Sequence, residues 1–170
     1  MGRMILGCAI VEKPKIFMAA VEMAGMSRDL DNDKHPHQFR VPNNVLRKFT
    51  DRLLRQAESM LRCKNFEQLH ELVASCRVKG IGILTIYDTA QRVGANMRIE
   101  PRRVYLHQGT RLGAERYFKR TLSVDSVNKR EFREFSKLSC SAIEDVMCIY
   151  KDEFPLTKNP IRITSTSSKC

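Results

Sequence analysis

Two glycines separated by one isoleucine, Gly80-Ile81-Gly82, are preceded by Val78-Lys79 and followed by Ile83-Leu84-Thr85. Glycine lets a backbone turn a sharp corner and approach a ligand closely, because it carries no Cβ. A helix that begins just after such a corner points its unbonded N–H groups and the positive end of its dipole at whatever lies there. That arrangement suits one phosphate oxygen and reads no base. The chemistry first suggested by this chain is therefore anion binding by the main chain.

Proton-transfer chemistry has fewer candidates. His107 precedes Gln108-Gly109-Thr110-Arg111, so an imidazole, a hydroxyl and a guanidinium are close in sequence. An imidazole there can act as acid or base near neutral pH, and it can equally cap a helix. Asp88, at the start of the helix after the glycine corner, reads either as a base or as a first-turn charge favoured by the dipole. Glu100, in the basic stretch, is a further candidate carboxylate. His35 and His37 flank Pro36 in an acidic loop, but two histidines with loose carboxylates do not define a ligand set, and no metal site is assigned. The six cysteines include no Cys-x-x-Cys pair, which argues against structural zinc and for a reducing, cytoplasmic setting. No cofactor is implied.

Lys and Arg outnumber Asp and Glu by 30 to 19, a formal net charge of +11. An excess of this size favours polyanions, although a solvated basic surface carries the same count. It is densest in residues 98–120, where Arg98, Arg102, Arg103, Arg111, Arg116, Lys119 and Arg120 face only Glu100 and Glu115. Tyr105, His107 and Tyr117 are interleaved with them. Cations supply salt-dependent phosphate contacts and rings can stack on exposed bases, or else Tyr105 belongs to the core. No apolar run approaches the ~20 residues of a membrane span, so no membrane partner is expected.

These residues need helices to position them. Residues 14–26 read as a short helix with Pro14 in its first turn and Gly25 as its stop. Residues 27–42 are polar and proline-bearing, a loop or hinge. Val45, Leu46, Phe49, Leu53, Leu54, Ala57, Met60 and Leu61 recur at helical spacing and predict one long helix over 44–63. Asn65, with Gln68 three residues on, predicts the capped start of the next helix. The helix after the corner is expected over 84–95, with Ile86, Ala90 and Val93 inward, and a break follows at 98–101. A short helical stretch is expected over 101–107, then a helix from Thr110 through Lys119. Ser141 and Glu144 predict a last helix over 142–154. No strand is expected, and the fold class is mostly α: a compact multi-helix domain. The domain reading is an N-terminal helical segment and loop over 1–34, a helical domain over 35–155 and a flexible tail over 156–170. The start of the chain reads as part of the fold and not as a cleaved leader.

The stretch over 72–95 resembles the helix-hairpin-helix motif of DNA-repair and DNA-processing proteins, on Val78, Gly80-Ile81-Gly82, Thr85, Ala90 and Val93. The resemblance implies that the N–H groups near Gly80, Gly82 and Leu84 hold a phosphate, with Lys79 adding charge, within a hairpin at about 66–95. It also implies a glycosylase-like relative whose catalytic lysine and aspartate positions fall here at Leu84 and Arg102. Both functional groups are missing, and no four-cysteine cluster for iron and sulfur is present. The strings over 87–90, 104–111 and 148–152 are similar to parts of a family of uncharacterised bacterial proteins, which implies no activity. The sequence thus predicts a sequence-nonspecific DNA-binding protein, with RNA as the second polyanion. Lys79, Gly80, Ile81, Gly82 and Leu84 form the clamp, and the cations of 98–120 extend it. An atypical glycosylase, lyase or nuclease is one alternative, and a protein-interaction module without nucleic acid is the other.

Overall fold

The computed structural model describes residues 8–29 and 31–154, with side chains from residue 15 onward. Its described residues are mostly helical, with seven α-helices, three short 3-10 turns and a small two-stranded sheet. The chain divides into two compact units, residues 1–100 and 101–170. No helix among the described residues is long and apolar enough to cross a membrane. The expected tail over 156–170 and residues 1–7 of the expected N-terminal segment lie outside the described residues.

The first unit is built on α1 (Cys8–Gly25), α2 (Asn43–Arg55), α3 (Ala57–Leu61), α4 (Phe66–Ser75) and α5 (Ile83–Met97). Helix α1 stops at Gly25 as expected but begins at Cys8, so Pro14 lies inside it. Leu46, Phe49 and Leu53 form the buried stripe of α2, the outcome of their three- and four-residue spacing. The single helix expected over 44–63 is interrupted. Gln56 adopts φ −101°, ψ 3°, and its N–H reaches the carbonyls of both Leu53 and Leu54. The chain is thereby redirected, and Ala57 and Met60 of α3 are buried.

Asn65 caps α4 as its side chain predicts, accepting the Gln68 N–H at 2.9 Å. Gln68 returns a bond to the N–H of Lys64 at 2.8 Å, one residue earlier than the usual reciprocal box. Helices α1 and α4 both pack on α5, whose Ile86, Ala90 and Val93 are buried. Helix α5 closes on Arg98, in the left-handed region at φ 58°, and the Ile99 N–H bonds the Gly94 carbonyl at 2.8 Å.

The second unit contains the strands that the sequence reading did not anticipate. Strand β1 (Arg103–Tyr105) pairs antiparallel with β2 (Ser126–Asn128), with Val104 opposite Val127. Both valines are buried while Arg103 and Asn128 are exposed, an alternation of period two. The helical stretch expected over 101–107 is therefore a strand. The following helix, α6 (Gln108–Phe118), starts at His107 and not at Thr110, which is buried inside it. Helix α7 (Cys140–Ile149) starts at Ser139, whose hydroxyl accepts the Ala142 N–H at 3.1 Å. The expected Ser141–Glu144 start is displaced: Ser139 takes the cap, Ser141 lies inside the helix, and Glu144 is buried beside His107. Helix α7 also ends at Ile149, short of Phe154, where Tyr150 leaves helical geometry. Helices α6 and α7 pack closely at Gly113: a Cβ there would collide with the Met147 carbonyl. Val104, Leu106, Ala114, Val127, Phe132 and Ile143 share the unit's core.

Candidate functional site

The corner between α4 and α5 is held from beneath and open above. Ile81 is buried, and its N–H bonds the Val78 carbonyl at 3.0 Å. Gly80 sits at φ +96°, a conformation that L side chains resist, and a Cβ there would meet Val45 Cγ1 at 3.2 Å. Gly82 is the cap residue of α5 in extended geometry, φ −88°, ψ 170°, and no side chain caps the helix. Nothing lies within 4 Å of where a Gly82 Cβ would stand. Lys79, Gly80, Gly82 and Ile83 are exposed. The first α5 amide to reach a helical carbonyl is that of Ile86, which bonds Gly82 at 3.2 Å. The N–H groups of Ile83, Leu84 and Thr85 are left with no acceptor within the helix, at its positive end.

Two arginines brace this corner that the sequence reading passed over. Arg77 Nε donates to the Ile81 carbonyl at 2.8 Å, and Arg52 from α2 donates to the Arg77 carbonyl at 2.9 Å. Val45, Lys48 and Arg52 follow one another at helical spacing along α2, with Lys48 and Arg52 exposed. The first unit thus supplies Lys79, Arg77 and Arg52 at the corner. The signal for Arg77 was its position just before Val78; for Arg52 no local signal exists, since it comes from a different helix.

The expected basic surface over 98–120 is distributed differently. Arg98 caps the far end of α5, a 15-residue helix, and so stands about 20 Å from the corner. The other six cations belong to the second unit. Arg103 bonds Ser126 Oγ at 2.8 Å, and Arg111 reaches the Leu106 and Leu122 carbonyls. Arg116 bonds the Lys151 carbonyl at 2.6 Å and Asp152 at 2.7 Å, which holds the Asp152 carboxyl below its usual range. Arg120 pairs with Glu131 at 3.1 Å and lies over the Phe118 ring. Four of the six therefore tie the unit together, while Arg102 and Lys119 are exposed. Tyr117 packs among Phe118, Phe132, Phe135 and Phe154, and Tyr105 is half-buried in β1.

The catalytic candidates do not form one group. His107 is buried at the start of α6 with Nε2 at 3.7 Å from Glu144 Oε1. Glu100 is exposed at the end of the first unit. Asp88 is not a first-turn charge: it is the sixth residue of α5, buried against the loop that carries the two loop histidines.

There a polar cluster forms that the spacing of residues did not reveal. Residues 36–38 make a 3-10 turn beside α5, and the His37 N–H donates to His35 Nδ1 at 3.4 Å. His37 Nδ1 lies 3.0 Å from Asp88 Oδ2, and the wholly buried Gln38 donates to the same oxygen at 2.7 Å. Arg92, one turn further along α5, donates to Gln38 Oε1 at 3.3 Å. Burial lowers the His35 pKa, with Arg92 and His37 adding to the effect. Burial also lowers that of Arg92, opposed by the charges of Asp88 and Asp29.

Comparison with protein-family models, with curated proteins and with solved structures found no match to this chain.

Proposed function

We propose that this chain binds nucleic acid, DNA foremost, by gripping one backbone phosphate at the Gly80–Gly82 corner in the manner of a helix-hairpin-helix. The observation that carries this reading is the open, uncapped start of α5 above a buried Ile81. The N–H groups of Ile83, Leu84 and Thr85 and the Lys79 ammonium supply the phosphate contacts, and Arg52 and Arg77 add positive potential. Contacts of this kind read no bases, so affinity is sequence-independent and falls steeply with salt. The corner's exposure favours this reading over a protein-interaction module in which the hairpin packs internally. The free thiols of Cys63, Cys76, Cys140 and Cys148 are in keeping with a cytoplasmic site of action.

The test is a fluorescence-anisotropy titration of the full chain against duplex, single-stranded and junction DNA and duplex RNA, at low and high salt. DNA binding that weakens with salt and is lost in Lys79→Glu supports the proposal. No binding of any DNA at low salt refutes it, as does preference for RNA over every DNA form.

A further inference from the structure

His35, His37 and Asp88 each offer one ligand atom, and the three atoms lie within 4.8 Å of one another. We propose that they form an open, three-ligand site for a zinc-class divalent transition-metal ion. The inference is independent of nucleic-acid binding, since none of its residues belongs to the glycine corner.

The donor set is right for such an ion, because two imidazoles and one carboxylate are the mixture that zinc-class metals accept. The spacing is close to what coordination needs. A tetrahedral ion with ligands at about 2.0–2.1 Å holds its donor atoms about 3.3 Å apart. His37 Nδ1 and Asp88 Oδ2 are already 3.0 Å apart, and rotation of the His35 ring closes the set. Pro36 between the two histidines restricts their loop, and the rings meet edge-on with centroids 4.9 Å apart.

The surroundings have the character of an outer shell. Gln38, wholly buried, donates to Asp88 Oδ2 and fixes the carboxylate, as outer-shell donors do for metal ligands. Arg92 reaches the cluster through its bond to Gln38, and the charges of Asp88 and Asp29 act against its own. The His37 side chain is 50% exposed, so an ion can enter from solvent. Three protein ligands with an exposed side leave a position open for water or an anionic oxygen, the arrangement of reactive rather than structural zinc sites.

The test uses the full chain, treated with chelator and kept reduced, titrated with Co²⁺ and followed in the visible region, then with Zn²⁺ in a calorimeter. The expected result is one ion per chain with visible cobalt d–d bands and no thiolate charge-transfer band. His37→Ala and His35→Ala are each expected to weaken binding by about 100-fold or more, given that losing an outer-shell group alone costs 10- to 100-fold. His37→Ala is the safer variant because the ring is exposed, and far-UV circular dichroism checks its fold. Failure of the folded wild type to bind either ion overturns the proposal. So does binding that is unchanged in a folded His37→Ala, or binding that carries the thiolate signature.

Discussion

Replacing Gly82 by aspartate separates folding from binding at a single position. Gly82 has φ −88° and ψ 170°, a geometry any residue adopts, and its Cβ would enter open space. Aspartate is a strong helix-capping residue, and its carboxylate at that position accepts the N–H groups of Leu84 or Thr85. Capping gains a few tenths of a kcal/mol over glycine, and the dipole adds about 0.3–1 kcal/mol. Gly82→Asp is therefore expected to raise stability slightly. The same carboxylate occupies the place proposed for a phosphate oxygen. Two like charges at ~4 Å repel by about 1 kcal/mol in water and about 4 kcal/mol at a partly desolvated surface. DNA affinity should fall by roughly fivefold to a thousandfold, and the slope of log affinity against log salt should flatten by about one contact. Gly82→Ala is the control and should keep affinity within about threefold, since it adds a methyl to open space and no charge. Thermal melts and anisotropy titrations of the three proteins measure both effects. A Gly82→Asp protein that is folded and binds DNA as tightly as wild type would refute the phosphate-clamp reasoning.

The packing account makes further predictions. Gly113→Ala forces a Cβ into the Met147 carbonyl, which is backbone and cannot step aside. Its cost is about 1–3 kcal/mol despite alanine's better helix propensity, a Tm roughly 2–12 °C lower by calorimetry. Gly109→Ala collides with the Cys148 Sγ, at 2.6 Å, a side chain that can shift, while the Cys148 Cβ and Cα stand at ordinary contact distance, so its melting temperature should fall less. Ser139→Ala removes the α7 cap and should cost about 1 kcal/mol in urea unfolding. Burial against Phe66 and Tyr87 lowers the His70 pKa below 6.5, against the raising influence of Glu71 and Glu67. The unfolded chain then binds the proton more readily, so this contribution to stability is complete above pH 6.5 and is lost as pH falls below it. His70→Gln should flatten the decline in Tm between pH 7 and pH 5; an unchanged decline would count against it.

The helices legible in the sequence are those whose signals are local. Asn65 with its Gln68 partner, the stop at Gly25 and the glycines at 80 and 82 each act within a few residues, and each sits where its chemistry predicts. The stripe Leu46-Phe49-Leu53 identified α2, but the break at Gln56 was hidden because the apolar spacing continues through Ala57 and Met60. The sheet was missed because each strand is three residues long and its partner lies in a distant stretch of polar sequence. Even so, the alternation of Arg103, Val104, Tyr105 and Leu106 carried a period-two signal that was legible. Glu144 read as a helix-start residue because its pairing with His107 is a tertiary event. The same limit hid the His35–His37–Asp88 cluster: His37 and Asp88 are 51 residues apart, and the packing of the 36–38 turn on α5 brings them together. Charge counting found the basic stretch over 98–120 but could not tell that Arg103, Arg111, Arg116 and Arg120 bond within their own unit.

The most direct measurement is an amide-resolved NMR titration of the full chain with a short DNA duplex at low salt. The account predicts that the N–H resonances of Ile83, Leu84 and Thr85 shift downfield together as duplex is added and return when salt is raised. Binding that leaves these three amides unmoved while shifting others, or no shifts at all, would contradict it.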